Sequence, residues 1–291
     1  MKIIDFLAND GIKLDGFLYQ SIEKTNKIII SIHGMTSNCF KERDKVTGKL
    51  ANDNNIDYFC FNNRGSELVK YINKNNGGKL IGGTIFEDVL DGYKDILGAI
   101  EKVRELGYNE IYLQGHSLGC TKIVYTYNRL LEENNREIIN DIKGVILLSL
   151  VDIIGTLKYF LGKNYYKYVK LAEKKEKKGK IFELMPKESF IYPVSVKTFL
   201  RYAKYNKDID FANYDFDNKL EILNKIELPL FMRWGNNNEM ILQKADELVY
   251  KLNKLIKNEN RDINFIDGAN HSYYGKENIL AEQIIKFIQK K

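Results

Sequence analysis

The sequence predicts an α/β fold: a mostly parallel, twisted sheet of about eight strands, with helices on both faces and one helical insertion. Three observations predict it. Short apolar β-type runs alternate with longer amphipathic stretches along most of the 291 residues, as in a parallel sheet covered by helices. The pentapeptide Gly115-His116-Ser117-Leu118-Gly119 stands between the apolar run Ile111-Tyr112-Leu113-Gln114 and a helix-like stretch that begins at Cys120. The strand rhythm stops over residues 156–226 and resumes after them.

Residues 2–8 and 16–20 read as an opening pair of strands, turned by Asn9-Asp10-Gly11. Residues 27–32 (KIIISI) are almost continuously apolar, as expected of a strand buried on both faces. A helix over about 41–53 and a strand over 57–61 follow, then a glycine-rich loop over 62–84 and a long helix near 86–105. Strand 110–114, the pentapeptide, helix 118–132 and strand 144–151 complete the first part. After the insertion come strand 228–234, helix 241–257, strand 262–267 and a final helix over 275–289. The organisation expected is a core made of 1–151 and 227–291, with 152–226 inserted as a helical lid.

The composition, 44% hydrophobic and 29% charged, is that of a globular protein rather than a disordered or fibrous one. No apolar run approaches the roughly 18 residues of a membrane-spanning helix, so no stable membrane insertion is expected. The start, MKIIDFLANDG, sets Asp5 and Asp10 around a very short apolar stretch, unlike a signal peptide. Cys39, Cys60 and Cys120 cannot all pair and lack metal-ligand spacing. Reduced thiols in the cytoplasm, and no metal or cofactor, are the expectation.

The net charge of +6 sits mostly in the insertion, where residues 156–226 carry sixteen Lys/Arg against nine Asp/Glu. Lysines there interleave with aromatic residues, among them Tyr159, Phe160, Tyr192, Phe199, Tyr205, Phe211, Tyr214 and Phe216. Without a nucleic-acid motif beside them, a solvated face and a small aromatic core are expected, not a nucleic-acid partner. The aromatic groups also suit a pocket for an acyl chain or an aromatic acid.

The pentapeptide carries the chemistry. Gly-x-Ser-x-Gly between a strand and a helix is a nucleophile elbow, a turn so tight that its serine adopts a strained backbone. It lifts the Ser117 hydroxyl above the sheet and aims the Leu118 N–H at a developing oxyanion. A serine hydroxyl needs a histidine to accept its proton, and a carboxylate to orient that histidine. Of the three histidines, His116 lies inside the elbow and His33 directly follows a strand. His271, in the loop Asp267-Gly268-Ala269-Asn270-His271 between the last strand and the last helix, is the candidate base. In His33-Gly34-Met35, the Met35 N–H is the candidate second oxyanion donor, because the loop after the third strand runs beside the elbow.

With these motifs in hand, the chain resembles the α/β-hydrolase superfamily over nearly its full length, and within it the lidded serine esterases of the cinnamoyl-esterase and monoacylglycerol-lipase kind. The matching stretches are HGM at 33–35, NNRG at 62–65, GHSLG at 115–119, WGNNNEM at 234–240 and GANH at 268–271. The resemblance implies Ser117 as nucleophile, His271 as base, Met35 and Leu118 as oxyanion hole, and a structural Arg64-Gly65. It implies a small-molecule carboxylic ester as substrate, hydrolysed without a cofactor.

The acid departs from the family pattern. The aspartate expected three residues after Gly235 is Asn238 here, which leaves Glu239 and Asp152 as candidates, the latter directly after strand 144–151. Asn238 also keeps open a non-catalytic, ligand-binding use of the scaffold, and the same site would serve a serine peptidase or an acyltransferase. Acyl and alcohol specificity and oligomeric state are not legible in the sequence.

Overall fold

Alternating exposed and buried residues begin the chain as an antiparallel pair, β1 (Lys2–Leu7) and β2 (Lys13–Tyr19), in which Leu14, Gly16 and Leu18 of β2 turn inward. The structure is a computed structural model that describes residues 1–204, 206–209 and 220–290. β3 (Lys27–Ile32) and β4 (Asp57–Phe61) are buried almost throughout, as their unbroken apolar runs require. Helix α1 (Glu42–Asp53) links them.

A small hairpin, β5 (Lys70–Asn73) and β6 (Lys79–Gly82), precedes α2 (Gly92–Glu105). β7 (Glu110–His116) runs into α3 (Leu118–Glu132), and a short α4 (Arg136–Asp141) leads to β8 (Ile142–Leu148). Three helices then leave the sheet: α5 (Ile153–Leu161), α6 (Tyr165–Glu176) and α7 (Val196–Ala203). β9 (Leu230–Gly235), α8 (Ala245–Leu255), β10 (Arg261–Ile266) and α9 (Glu277–Gln289) close the chain.

The eight-stranded sheet has the order β1-β2-β4-β3-β7-β8-β9-β10, parallel from β4 onward. One apolar layer packs α2, α3 and α8 on one face, around Ile100, Ile123 and Leu248. The opposite layer packs α9 against β8 and β9 through Ile284, Ile285 and Phe287. A third cluster joins α5–α7 to the core through Val89 and Leu118, with Met35 packed against it. The excursion between β8 and β9 is thus helical in its described part, as its spacing predicts. Tyr205, Phe211, Tyr214 and Phe216 lie outside the described residues.

Two elements differ from the expectation. The loop over 62–84 contains the β5–β6 hairpin, and α4 lies where no element is predicted. In the hairpin only Ile72 and Gly82 are buried, so no apolar run marks it.

The loop after β4 is anchored by ions. The Arg64 guanidinium bonds Asp95 Oδ1 through Nε (2.9 Å) and Nη2 (2.7 Å), and grips both oxygens of Asp10. Arg64-Gly65 is structural, as the motif implies. Beside it Lys122 of α3 forms an ion pair with Glu87, both almost wholly buried, and donates to Asn63 Oδ1 at 3.2 Å. Removing one partner of such a pair strands a charge in the interior.

Candidate active site

Ser117 sits between the end of β7 and the start of α3 with φ 54° and ψ −122°, a conformation L-residues avoid. The approach of strand and helix explains its glycine neighbours. A Cβ on Gly119 would lie 2.3 Å from the Ile32 carbonyl oxygen, and one on Gly115 would lie 2.5 Å from Gly119. The Ser117 hydroxyl donates to His271 Nε2 at 3.0 Å. On the far side of the ring, His271 Nδ1 donates to Glu239 Oε1.

The Glu239 side chain is 2% exposed, and both its oxygens are occupied. Oε2 accepts from Ser149 Oγ (2.7 Å) and the Gly235 N–H (2.9 Å), and Oε1 accepts the Met240 N–H at 2.9 Å. Burial alone pushes this carboxyl up, but the His271 hydrogen bond and charge, with the Gly235 and Ser149 donors, hold it below the ordinary glutamate value. Asn238 adopts φ 50°, a left-handed turn that asparagine tolerates. The chain therefore turns at the position where an aspartate is expected, and the longer side chain one residue on reaches the imidazole. Asp152 precedes α5 and caps it, its Oδ1 accepting the Gly155 N–H at 2.7 Å.

The loop after β3 passes directly over the serine. A Cβ on Gly34 would lie 2.9 Å from Ser117 Cβ. His33 Nδ1 bonds the Gly34 carbonyl at 2.9 Å, and the Thr36 N–H donates to Thr84 Oγ1 at 2.8 Å. Thr84 donates in turn to the Gly65 carbonyl at 3.1 Å, which ties this loop to the Arg64 anchor. Among the described residues, the N–H groups of Met35 and Leu118 have no hydrogen-bond partner. Leu118 opens α3, so its N–H also carries the positive end of the helix dipole.

Four supporting residues escape sequence reasoning. His116 Nε2 donates to the His271 carbonyl at 2.7 Å, Ser149 holds Glu239, Tyr273 OH donates to the Arg233 carbonyl at 2.8 Å, and Thr84 props the loop. Only His116 had a signal, its place in the elbow motif. Thr36, Ser117, Ser149, Asn238 and Tyr273, five of the nine non-glycine residues with positive φ among the described residues, stand around this site.

A cavity of about 370 Å³ opens on Ser117 and His271. Its walls are mostly apolar: Met35, Leu118, Val151, Ile153, Leu157, Phe160, Phe190, Tyr192 and Met240. Among the described residues no cluster of three or more His, Cys, Asp or Glu side chains can hold a metal ion, and no helix is long and apolar enough to cross a membrane.

Two buried histidines make stability depend on pH. Burial, then the Lys122 charge, depresses His33 to about 3, and burial with the Arg43 and His271 charges holds His116 well below its ordinary value. Below the unfolded value near 6.5 the unfolded chain takes up protons that the folded chain refuses, so stability falls as pH drops. At pH 5 His33 alone should cost about 2 kcal/mol. The depressed carboxylates act only below their own, lower range, so urea unfolding at pH 6.5 and pH 5 isolates the histidines. Equal stability at both pH values would contradict their burial as neutral rings, and His33→Gln should flatten the slope.

The order of strands, the helical excursion after β8 and the serine at the strand–helix turn together define the α/β-hydrolase fold. Est1E from Butyrivibrio proteoclasticus, solved with ferulic acid bound, superposes with a TM-score of 0.62 at 15% identity, over 98% of each chain. A soluble variant of monoglyceride lipase from Saccharomyces cerevisiae, solved with a substrate analogue, gives a TM-score of 0.62 at 14% identity, over 98% of this chain and 94% of that one. An esterase from Pyrococcus furiosus gives 0.60 at 16% identity, over 99% and 91%. At such identities the likeness establishes the fold alone. Residues 91–289 match the family described as "Protein of unknown function (DUF1749)", and the chain belongs to that family. No curated protein matches the chain.

Proposed function

We propose that the protein is a serine hydrolase that cleaves carboxylic esters through an acyl-enzyme. The observation that carries this reading is the unbroken line from the Ser117 hydroxyl through His271 to the Glu239 carboxylate, with a 3.0 Å contact at the reacting end. Ser117 Oγ attacks the ester carbonyl carbon while its proton passes to His271 Nε2. The carbonyl oxygen becomes an oxyanion that accepts from the Met35 and Leu118 N–H groups. As the C–O bond to the alcohol breaks, His271 returns the proton to the departing oxygen. Water then adds to the acyl-enzyme and gives a proton to His271, which passes it to Ser117 Oγ as the acyl C–O bond breaks and the acid leaves.

Glu239 keeps the Nδ1 proton in place and offsets the imidazolium charge. His116 positions His271 by holding its carbonyl. Residues 152–226 act as a lid on the core formed by 1–151 and 227–291, and the apolar wall contributed by Ile153, Leu157 and Phe190 receives the organic part of the ester. The likeness to an esterase and a monoglyceride lipase supports the reading at the level of fold. Ser117's strained backbone weighs against a purely ligand-binding role, which has no use for it.

A fluorophosphonate probe tests the proposal directly. Folded wild-type protein should be labelled at Ser117, and peptide mapping should find the adduct there. Absence of labelling, or labelling on another residue, would remove the mechanism.

A further inference from the structure

One cation is buried in the wall of the cavity. Arg43 is 3% exposed and lines the cavity together with Lys41 and Glu42, at the start of α1. Its Nη2 donates to Asp44 Oδ2 at 3.2 Å, and among the described residues this is its only hydrogen bond. Nε is buried without a partner, and Nη1 has none either. Asp44 is heavily committed: its Oδ1 accepts from Ser31 Oγ at 2.8 Å and from Tyr58 OH at 2.7 Å. A guanidinium has five N–H donors, and here most of them have no protein acceptor among the described residues, the buried Nε included.

The backbone adds to this. The Lys41 side chain does not cap α1, and among the described residues the N–H groups of Glu42 and Arg43 have no partner. They present the positive end of the helix at the same wall. Two carboxylates also border the cavity. Glu42 is exposed and pairs with Lys45 at 3.4 Å, and Glu277 stands half-buried at the start of α9. Neither is bonded to Arg43.

We propose that this corner is a carboxylate subsite: the substrate is an ester that carries a second, free carboxylate, held by Arg43 while the scissile carbonyl lies over Ser117. The inference rests on the ester-hydrolase reading and narrows its substrate class. The apolar wall takes the carbon skeleton, and the guanidinium selects for the charged end. Arginine suits the task because its planar fork matches a carboxylate and stays charged at any working pH.

Two matched pairs test it. In the first, 4-methylumbelliferyl hydrogen glutarate is compared with 4-methylumbelliferyl pentanoate, placing the charge on the acid side. In the second, the butyrate ester of 4-hydroxybenzoate is compared with phenyl butyrate, placing it on the alcohol side. Wild-type protein should favour the charged member of at least one pair by about tenfold or more in kcat/KM, and Arg43→Gln should erase that ratio, with Arg43→Lys between them.

Equal rates within both pairs overturn the proposal. So does an Arg43→Gln variant that lowers both members of a pair alike, because Arg43 then only supports α1 and His116. If wild-type protein hydrolyses none of the four, the ester reading fails instead. The subsite is then judged by calorimetry with monomethyl glutarate: binding weakened about tenfold in Arg43→Gln supports it, and equal binding refutes it.

Discussion

Ser117→Ala is expected to lower kcat/KM on an activated short-chain ester by about 10⁴- to 10⁶-fold, leaving only what the oxyanion donors and substrate binding provide. Alanine keeps the Cβ, so the strained turn at φ 54° and the packing of Gly34 against it persist, and the thermal midpoint should stay near the wild-type value. A loss of rate with a preserved fold isolates the nucleophile. Retention of more than about a tenth of the turnover would mean that another group attacks the carbonyl, and the acyl-enzyme route would fall.

The second large effect concerns the carboxylate. Glu239→Gln should cost about 10³- to 10⁴-fold in kcat, whereas Asp152→Asn should stay within about threefold. Glutamine cannot offset the imidazolium that forms when His271 takes the serine proton. Its amide NH₂ would also face donors wherever it met the Ser149 hydroxyl, the Gly235 N–H or the Met240 N–H, all of which now point at carboxylate oxygens. At residue 152 asparagine caps α5 almost as well as aspartate, so little should change. The pair of variants is read from kcat with one substrate on both proteins. A large loss in Asp152→Asn with a mild one in Glu239→Gln would reverse the assignment.

Much of the arrangement around Ser117 can be read before any coordinates, because it is written in local chemistry. An elbow needs small residues on both sides of its serine, and Gly115 and Gly119 meet that need at distances where a methyl group does not fit. The continuous apolar runs of β3 and β4 announce a sheet buried on both faces. The acid is different. Glu239 and Asp152 both follow strand ends, and nothing local separates them. What distinguishes them in the structure is the bond from His271 Nδ1 to Glu239, made between segments 32 positions apart.

The β5–β6 hairpin escapes for a related reason. Most of its residues face solvent, so no periodic burial betrays it. His116 is legible as part of a motif, but not as the prop of a residue 155 positions away.

The cavity described above has two kinds of wall, and they come from different stretches of chain. The hydrogen-bonded line of Ser117, His271 and Glu239 stands on turns at strand ends, held by a sheet whose neighbouring strands β8 and β9 pair directly. The residues that face the organic part of a ligand, such as Ile153, Leu157 and Phe190, belong to the excursion between those two strands. Under the proposed mechanism, reactivity and selectivity are therefore separately heritable. Substitution along the excursion can, under that mechanism, retune which molecule fits while the sheet keeps the line of Ser117, His271 and Glu239 intact.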